Sequence, residues 1–167
     1  MSQYTVHVER YKVYVNGEEC PSLHCEENYE SGGFRWIHRT PDNKIIKLDF
    51  VTQYSGGDPL YKQTKAEIDL YAHIETADRR HFPKILAHGT RGKRKTYWLI
   101  EENLNLDKNF RARREHAKIV RDLKKKYRIG DIYPRAGKER HNWGVTKRGR
   151  VVIYDFGCNL YNCGDSL

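Results

Sequence analysis

The stretch "NWGVTKRGRVVIYDFG", from Asn142 to Gly157, decides how the rest of the chain is interpreted. Two apolar runs flank Arg148-Gly149, a pattern that predicts a hairpin. The return run has the composition of a buried strand and delivers Asp155 at its end, close to Asn142. Carboxylate and amide oxygens are hard ligands suited to Mg²⁺ and its phosphates. The alternative is a loop Asn followed by an Asp-x-Gly turn, both of which are common.

Composition favours one folded domain, built of two small lobes. The chain has 167 residues and a formal net charge of +9, an imbalance that attracts nucleotides, nucleic acid or acidic membranes without choosing among them. Apolar runs recur along the whole chain, which argues against disorder. Residues 1–12 hold no apolar stretch of signal-peptide length, and no segment is long enough to span a bilayer. We therefore expect a cytoplasmic protein that does not bind membranes.

The cysteines form two C-x4-C pairs, Cys20 with Cys25 and Cys158 with Cys163. Zinc sites usually use tighter pairs and add histidines at set spacings. The sequence therefore favours reduced, packed thiols, and a shared metal site remains the alternative.

Apolar periodicity and turn residues predict an α+β fold with a mostly antiparallel, N-terminal sheet. Asn16-Gly17 has the composition of a hairpin turn, and Asp58-Pro59 that of a helix start. The expected elements are strands at 5–8, 11–15, 34–39 and 44–51, a helix at 58–75, strands at 82–89 and 95–102 joined by a basic turn at 90–95, a helix at 107–127, and the final hairpin.

Two charged residues stand out because their neighbours are apolar. Lys47 shares one face of its strand with Ile45 and Asp49, and it could reach a bound phosphate or, alternatively, be exposed and solvated. Glu67 falls inside the apolar stripe of its helix, where a carboxylate needs a partner. Lys47 is the nearest candidate. The competing explanation is that Thr64 and Glu67 form a capping box at a helix start.

Taken together and in this order, these residues resemble the protein-kinase-like fold. The run "KIIK" takes the place of the kinase V-A-I-K, which makes Lys47 the phosphate-anchoring lysine. The run "EIDLYAHI" is similar to the helix that supplies its glutamate partner, Glu67. Asn142 and Asp155 match the catalytic-loop Asn and the Asp-Phe-Gly Asp that hold the metal, and they are thirteen residues apart, as is usual in the family. The implied cofactors are ATP and Mg²⁺.

The resemblance also implies where the nucleotide lies. The run "WLIEEN" is similar to the strand that enters the hinge, which makes Ile100 the gatekeeper and brings the backbone of Glu101 and Asn103 to the adenine. The run "ESGGFRWI" is similar to the glycine-rich loop but degenerate, because Glu30 and Arg35 replace two of its three glycines. The implied loop and adenine-roof residues are Ser31, Gly32, Gly33, Ile37 and Ile45.

One departure concerns the catalytic base. Kinases place an Asp five residues before the Asn, and Gly137 stands there in this chain. Asp131 in "RIGDIY" is the favoured candidate and requires an insertion such as "PRAGKE", which loops tolerate. Glu139 and His141 are weaker candidates, and the absence of a base is the alternative.

The second departure is length, since ten residues follow Gly157. The pattern is similar to the very small kinase-like proteins of bacteria and phages, with an N-lobe at about 1–103 and a reduced helical C-lobe at about 104–167. A protein substrate or docking partner would then be held in another way. If the chain is phage-encoded, the host cytoplasm is the expected location.

Three functions follow as hypotheses. The first is an ATP- and Mg²⁺-dependent phosphotransferase, acting as a protein Ser/Thr kinase on a host or partner protein. The second is a pseudokinase that binds nucleotide or protein without efficient transfer. The third is a nucleic-acid binder that uses Arg111–Arg128, where nine of eighteen residues are Lys or Arg. The alternative for that segment is a solvated helix face.

Overall fold

The structure is a computed structural model and describes residues 4–10, 12–23, 35–49, 63–92, 96–130, 132 and 142–156. The chain forms two compact units. Unit 1 comprises Met1–Ile68 and Ile85–Asn103, and unit 2 comprises Asp69–Lys84 and Leu104–Leu167. Unit 1 ends at Asn103, and residues 69–84 group with unit 2.

Unit 1 contains two antiparallel sheets. The first has three strands in sequence order, β1 (Val6–Glu9), β2 (Lys12–Val15) and β3 (Glu18–Cys20). The second has four strands in the order β4-β5-β7-β6. Its strands are β4 (Arg35–Arg39), β5 (Ile45–Asp49), β6 (Ile85–Arg91) and β7 (Thr96–Glu101). The α+β class with antiparallel sheets is confirmed.

The hairpin turn at Asn16-Gly17 is confirmed by its backbone. Both residues have positive φ, 53° and 86°, which is what a tight turn between twisted strands requires. The turn leads into β3, a strand that was not predicted because it is short and carries the polar sequence Glu-Glu-Cys. Tertiary pairing with β2 forms it despite weak local propensity.

The core of unit 1 lies on one face of the four-stranded sheet. Ile46, Leu48, Trp98 and Ile100 alternate onto this face and pack with residues of the three-stranded sheet, including Val13. The period-two pattern predicted for β5 is therefore confirmed. The same alternation turns Lys47 to the opposite face.

Unit 2 is built from helix α2 (Arg114–Tyr127) and the hairpin of β8 (Trp143–Val145) and β9 (Val151–Ile153). The hairpin was predicted, and Gly149 adopts positive φ in its turn. Its buried core combines side chains from the helix, the hairpin and the segments that precede and follow them: Ile74, Phe82, Ala112, Val120, Leu123, Ile129, Ile132, Trp143, Val145, Val151, Ile153 and Phe156.

The predicted start of the second helix was wrong, because residues 107–113 are not helical. The backbone amide of Asp107 instead donates to the carbonyl of Val145, and its carboxylate accepts the amide of Asn109. These contacts replace the helical hydrogen bonds that the segment would otherwise make. Apolar residues recur at helical spacing along α2: Ala117, Val120 and Leu123 are buried, and Tyr127 is half-buried.

The first helix, α1, spans Gln63–His73. The predicted start at Asp58-Pro59 lies outside the described residues, and the helix ends two residues before the expected end. The capping-box interpretation was wrong: Gln63 and Thr64 are already helical, and the Glu67 carboxylate binds side chains of unit 1 instead of a capping amide.

Strand β6 also continues through Arg91, so the predicted turn at 90–95 is shorter than expected. In the described ranges no helix combines the length and apolar character needed to cross a bilayer.

Candidate active site

Lys47 is buried at the centre of the four-stranded sheet. Its register partners are Ile37 on β4 and Leu99 on β7, and only 3% of the residue is exposed. Its Nζ lies 2.9 Å from Oε1 of Glu67 and 2.9 Å from Oε1 of Glu101. The solvated-lysine alternative is therefore wrong, and the ammonium is shared between two carboxylates.

Glu67 is fully buried on α1 and accepts hydrogen bonds at both carboxylate oxygens. Lys47 donates to Oε1 at 2.9 Å, and Nη1 of Arg35 donates to Oε2 at 2.5 Å. Burial would raise the pKa of Glu67, but the positive charges of Arg35 and Lys47 outweigh burial and lower it. Glu67 is therefore ionised and held between two cations.

Arg35 was not predicted as a site residue. It stands where the kinase-like pattern has a glycine, so it counted only as a departure from the glycine-rich loop. The signal was available in the strand "RWIHR", where period two places Arg35 on the same face as Ile37. The register Ile37↔Lys47 then puts Arg35 beside the lysine strand, opposite Asp49.

Glu101 was expected to contribute its backbone, but its side chain enters the site. The residue is 3% exposed, its Oε1 contacts Lys47, and its Oε2 has no hydrogen-bond partner in the described residues. Burial raises the pKa of Glu101 to about 8, with the charge of Lys47 opposing and that of Glu67 adding to the rise. Near neutral pH, Glu101 is mostly a neutral acceptor, and Glu67 is the anion paired with Lys47.

A third carboxylate completes the group. Asp49 is 2% exposed, accepts the backbone amide of Thr64 at one oxygen, and has no described partner at the other. Burial raises the pKa of Asp49, and the hydrogen bond from Thr64 opposes that rise. We call the five buried charged residues that gather here, four from the sheet and one from α1, the charged cluster: Arg35, Lys47, Asp49, Glu67 and Glu101.

The apolar residues expected around the nucleotide divide between the two faces of the sheet. Ile37 and Ile45 share the face of the charged cluster, because Ile37 is opposite Lys47 and Ile45 is opposite Glu101. Ile100 lies on the other face, in the core with Ile46. The structure therefore does not bring the expected gatekeeper to Lys47. The reason is alternation, which turns neighbouring strand residues to opposite faces.

Asn103, which follows β7, is half-buried. Its side-chain amide donates to Oδ1 of Asn43 at 2.9 Å, so the side chain is tied to the turn between β4 and β5. The contact that the resemblance implied uses the backbone of Asn103, and that role stays a prediction.

In unit 2, Asn142 and Asp155 meet at the open end of the β8–β9 hairpin. The Asn142 carbonyl accepts the amides of Tyr154 and Asp155 at 3.0 and 3.5 Å. Asn142 has a φ of 63°, in the left-handed region that Asn tolerates better than most residues. Phe156 is 1% exposed and packs edge-on against Phe82, as expected of a core anchor next to Asp155. The backbone therefore fixes the two predicted metal ligands side by side.

This pair supplies one carboxylate and one amide. Among the described residues there is no group of three or more His, Cys, Asp and Glu side chains that could hold a metal. A cation held by Asn142 and Asp155 would take its remaining ligands from phosphates and water, which is how Mg²⁺ is usually bound with nucleotides.

Several predicted residues lie outside the described part of the chain. These are the loop residues Ser31, Gly32 and Gly33, the candidate base Asp131, and the weaker candidates Glu139 and His141. Of the four cysteines, only Cys20 is described. It is buried and in no disulfide, and burial raises the pKa of its thiol to about 11. Such a thiol is protonated and unreactive at neutral pH.

Comparisons with known proteins point to a fold without naming a family. No family model matches the chain, and no curated protein matches it. Seventy-six chains of solved structures match, and one of them comes from a medium-resolution structure of the bifunctional kinase-methyltransferase WbdD. The TM-score is 0.51 and the identity 19%, over 87% of this chain and 36% of that one.

The chain thus spans about a third of the length of this neighbour. At that identity the likeness concerns the fold alone, and a kinase-containing neighbour is compatible with an α+β chain of antiparallel sheets and two helices.

Proposed function

We propose that the chain is an ATP- and Mg²⁺-dependent phosphotransferase of the protein-kinase-like type, which transfers the γ-phosphate to a Ser or Thr of a protein. The carrying observation is the buried pair of Lys47 and Glu67, with 2.9 Å between ammonium and carboxylate. Burying a lysine in a small sheet is costly unless it is paired, and a paired lysine still suits a phosphate. The kinase-containing neighbour adds support at the level of the fold.

In this proposal the charged cluster prepares Lys47 for the α- and β-phosphates. Glu67 orients the ammonium, and Arg35 holds the second oxygen of Glu67 so that the carboxylate cannot rotate away. Glu101 occupies one donor position of Lys47. Because Glu101 is mostly neutral below pH 8, it competes weakly with a phosphate, which carries a full negative charge.

The other parts of the proposal follow the resemblance. Ile37 and Ile45 would cover the adenine, together with the backbone of Glu101 and Asn103 and the loop of Ser31, Gly32 and Gly33. Asn142 and Asp155 would hold Mg²⁺, which neutralises charge on the phosphates when bound. Asp131 would accept the proton of the substrate hydroxyl. A protein substrate or docking partner would bind outside this set.

The pseudokinase remains a second candidate because of one observation. Lys47 is engaged by two carboxylates at equal distance, so a nucleotide has to displace or join Glu101. A chain that binds ATP through Lys47 but transfers no phosphate would have the same cluster.

The decisive experiment measures ATP turnover and autophosphorylation of the purified chain with Mg²⁺. We expect Asp155→Asn to lower turnover at least about 100-fold, since removing one strong electrostatic contact to the reacting group typically has that effect. Asp122→Asn, at an exposed position on α2, is the matched control and should keep full turnover.

Nucleotide binding is measured separately by thermal shift. Saturation at 100 times the dissociation constant should stabilise the folded chain by about 2.7 kcal/mol. A shift without turnover would support the pseudokinase, and the absence of both would overturn both candidates. Phosphoproteomics of cells that express the chain or its Asp155→Ala version would identify the protein substrate.

A further inference from the structure

A row of cations runs along the solvent side of α2. Arg114, Lys118, Arg121 and Lys125 are all exposed, and they recur at steps of four, three and four residues. At about 100° per residue they fall within a sector of about 60°. We call these four residues the basic stripe.

The side chains of the basic stripe make no ion pair or hydrogen bond with the described residues, whereas neighbouring cations do. Lys124 donates to the carbonyl of Ile132, and Lys126 pairs with Glu75 and Asp78, each at 2.8 Å. Arg113 pairs with Glu115. The cations of α2 therefore include some with a side-chain or backbone partner and the basic stripe, whose side chains have no partner in the described part of the chain.

The arrangement opposes helix stability. The apolar stripe that holds α2 in unit 2 lies on the other side of the helix, at Ala117, Val120 and Leu123. Successive members of the basic stripe are one turn apart, and like charges at that spacing destabilise a helix by about 0.2–0.5 kcal/mol per pair. The helix has two acidic residues. Glu115 pairs with Arg113, and Asp122 lies beside the stripe without pairing with it. The stripe therefore lacks a structural explanation and suits an external anion.

We infer that the basic stripe binds the phosphate backbone of double-stranded nucleic acid without reading its sequence. The twelve helical residues from Arg114 to Lys125 extend about 16 Å. One strand of a duplex presents a phosphate about every 3.4 Å along its axis, so the stripe is long enough to face several phosphates of the duplex. The net charge of +9 would attract the same partner at longer range.

Two features favour nucleic acid over other anionic partners. Protein docking surfaces usually centre on apolar or aromatic anchors, and the basic stripe has none. In the described residues the only exposed large hydrophobic side chain is Leu86, which belongs to β6 in unit 1. Single-stranded nucleic acid is usually held by stacking on aromatic rings, which the stripe also lacks. Contacts to backbone phosphates alone suit a duplex.

The test is fluorescence anisotropy of a labelled mixed-sequence duplex with the full chain. Four neutralised phosphates predict a slope of about −3.6 in a plot of log affinity against log salt, or a loss of roughly 150-fold between 50 and 200 mM salt. Replacing all four stripe residues by Gln should remove most of this slope and weaken binding at least about tenfold at low salt.

The matched control removes four exposed cations elsewhere and changes the net charge equally: Arg10→Gln, Lys84→Gln, Lys147→Gln and Arg148→Gln. This control should keep the slope. Circular dichroism and thermal unfolding should show the stripe variant folded. If it does not fold, Lys118→Gln alone should still lower the slope by about 0.9.

Three results would overturn the inference. They are no binding by the unaltered chain at low salt, equal losses in the stripe and control variants, or competition by polyglutamate as strong as by duplex of equal charge. None of them depends on phosphotransfer, so the inference and the proposed function are tested independently.

Discussion

The two units bury different kinds of residue. Unit 2 buries an apolar core around Phe82, Trp143 and Phe156, as expected of a small domain stabilised by the hydrophobic effect. Unit 1 has an apolar core on one sheet face and the charged cluster on the other. Buried ion pairs contribute little net stability, because desolvation offsets the attraction between the charges. The charged cluster therefore needs a functional explanation, whereas the core of unit 2 is explained by the hydrophobic effect.

Removing the Glu67 side chain is the strongest test of this difference between the two units. Glu67→Ala leaves Arg35 and Lys47 buried without their shared anion, which we expect to lower the free energy of unfolding by about 3–5 kcal/mol. Urea unfolding followed by circular dichroism measures the loss. Leu123→Ala in unit 2 should cost a comparable amount, about 2–5 kcal/mol, through a cavity alone.

A triple variant separates stability from function. Arg35→Met, Lys47→Met and Glu67→Met together replace the three linked charges by apolar side chains of similar length. Such replacements are often neutral or stabilising. We expect near-normal unfolding in urea with no ATP turnover. If the triple variant is as unstable as Glu67→Ala, the cluster is structural and the contrast between the units fails.

The sequence predicted the parts of the site that depend on local periodicity. Period two in β5 placed Lys47 opposite the core face, and period 3.6 in α1 placed Glu67 among apolar residues. Lys47 was therefore the nearest candidate partner of the Glu67 carboxylate. Arg35 and Glu101 were missed as side-chain ligands. Their positions depend on which residues of β4 and β7 pair with β5, and strand register is not encoded in any single strand.

The fold was predictable to a similar extent. Strands with β-branched and aromatic residues were located within a few residues. The start of α2 was misplaced by seven residues, because residues 107–113 are polar and basic like the helix that follows. Only hydrogen bonds to Asn109 and Val145 show why Asp107 is not helical. The bond to Asn109 is local, but the bond to Val145 requires the hairpin to be in place, so it is tertiary information.

A smaller effect concerns how the free energy of unfolding depends on pH. The pKa of Glu101 rises from 4.5 to about 8 on folding, so the folded chain binds a proton that the unfolded chain has released. Stability should therefore be highest below pH 4.5 as far as this group is concerned, and it should fall as pH rises through 8. Between pH 6 and pH 8 we expect a loss of about 2 kcal/mol.

Glu101→Gln keeps an acceptor for Lys47 but cannot ionise. Urea unfolding of this variant at pH 6, 7 and 8 should show little of the fall. Glu18→Gln, at an exposed position of β3, is the control and should retain it. A Glu101→Gln chain that loses stability as steeply as the unaltered one would mean that another group titrates in this range.

The smallest effect concerns two glycines, one in each unit. A Cβ on Gly89 would lie 2.8 Å from a ring carbon of Trp98, whereas a Cβ on Gly144 would lie 3.4 Å from Leu106. The first distance forces a shift in the core of unit 1, and the second is nearly an ordinary contact. We expect Gly89→Ala to lower the free energy of unfolding by about 1 kcal/mol, the low end for overpacking, because β6 is an edge strand and can move.

Gly144→Ala should change stability by less than that, since Leu106 needs to move by only a few tenths of an ångström. Urea unfolding of both variants gives the comparison. Trp98 lies on the sheet face opposite Lys47, so Gly89→Ala should also leave ATP turnover unchanged at temperatures where the chain stays folded. A loss of turnover in the folded Gly89→Ala chain would show that the two faces of the sheet are coupled, and the charged face could then no longer be treated separately from the apolar one.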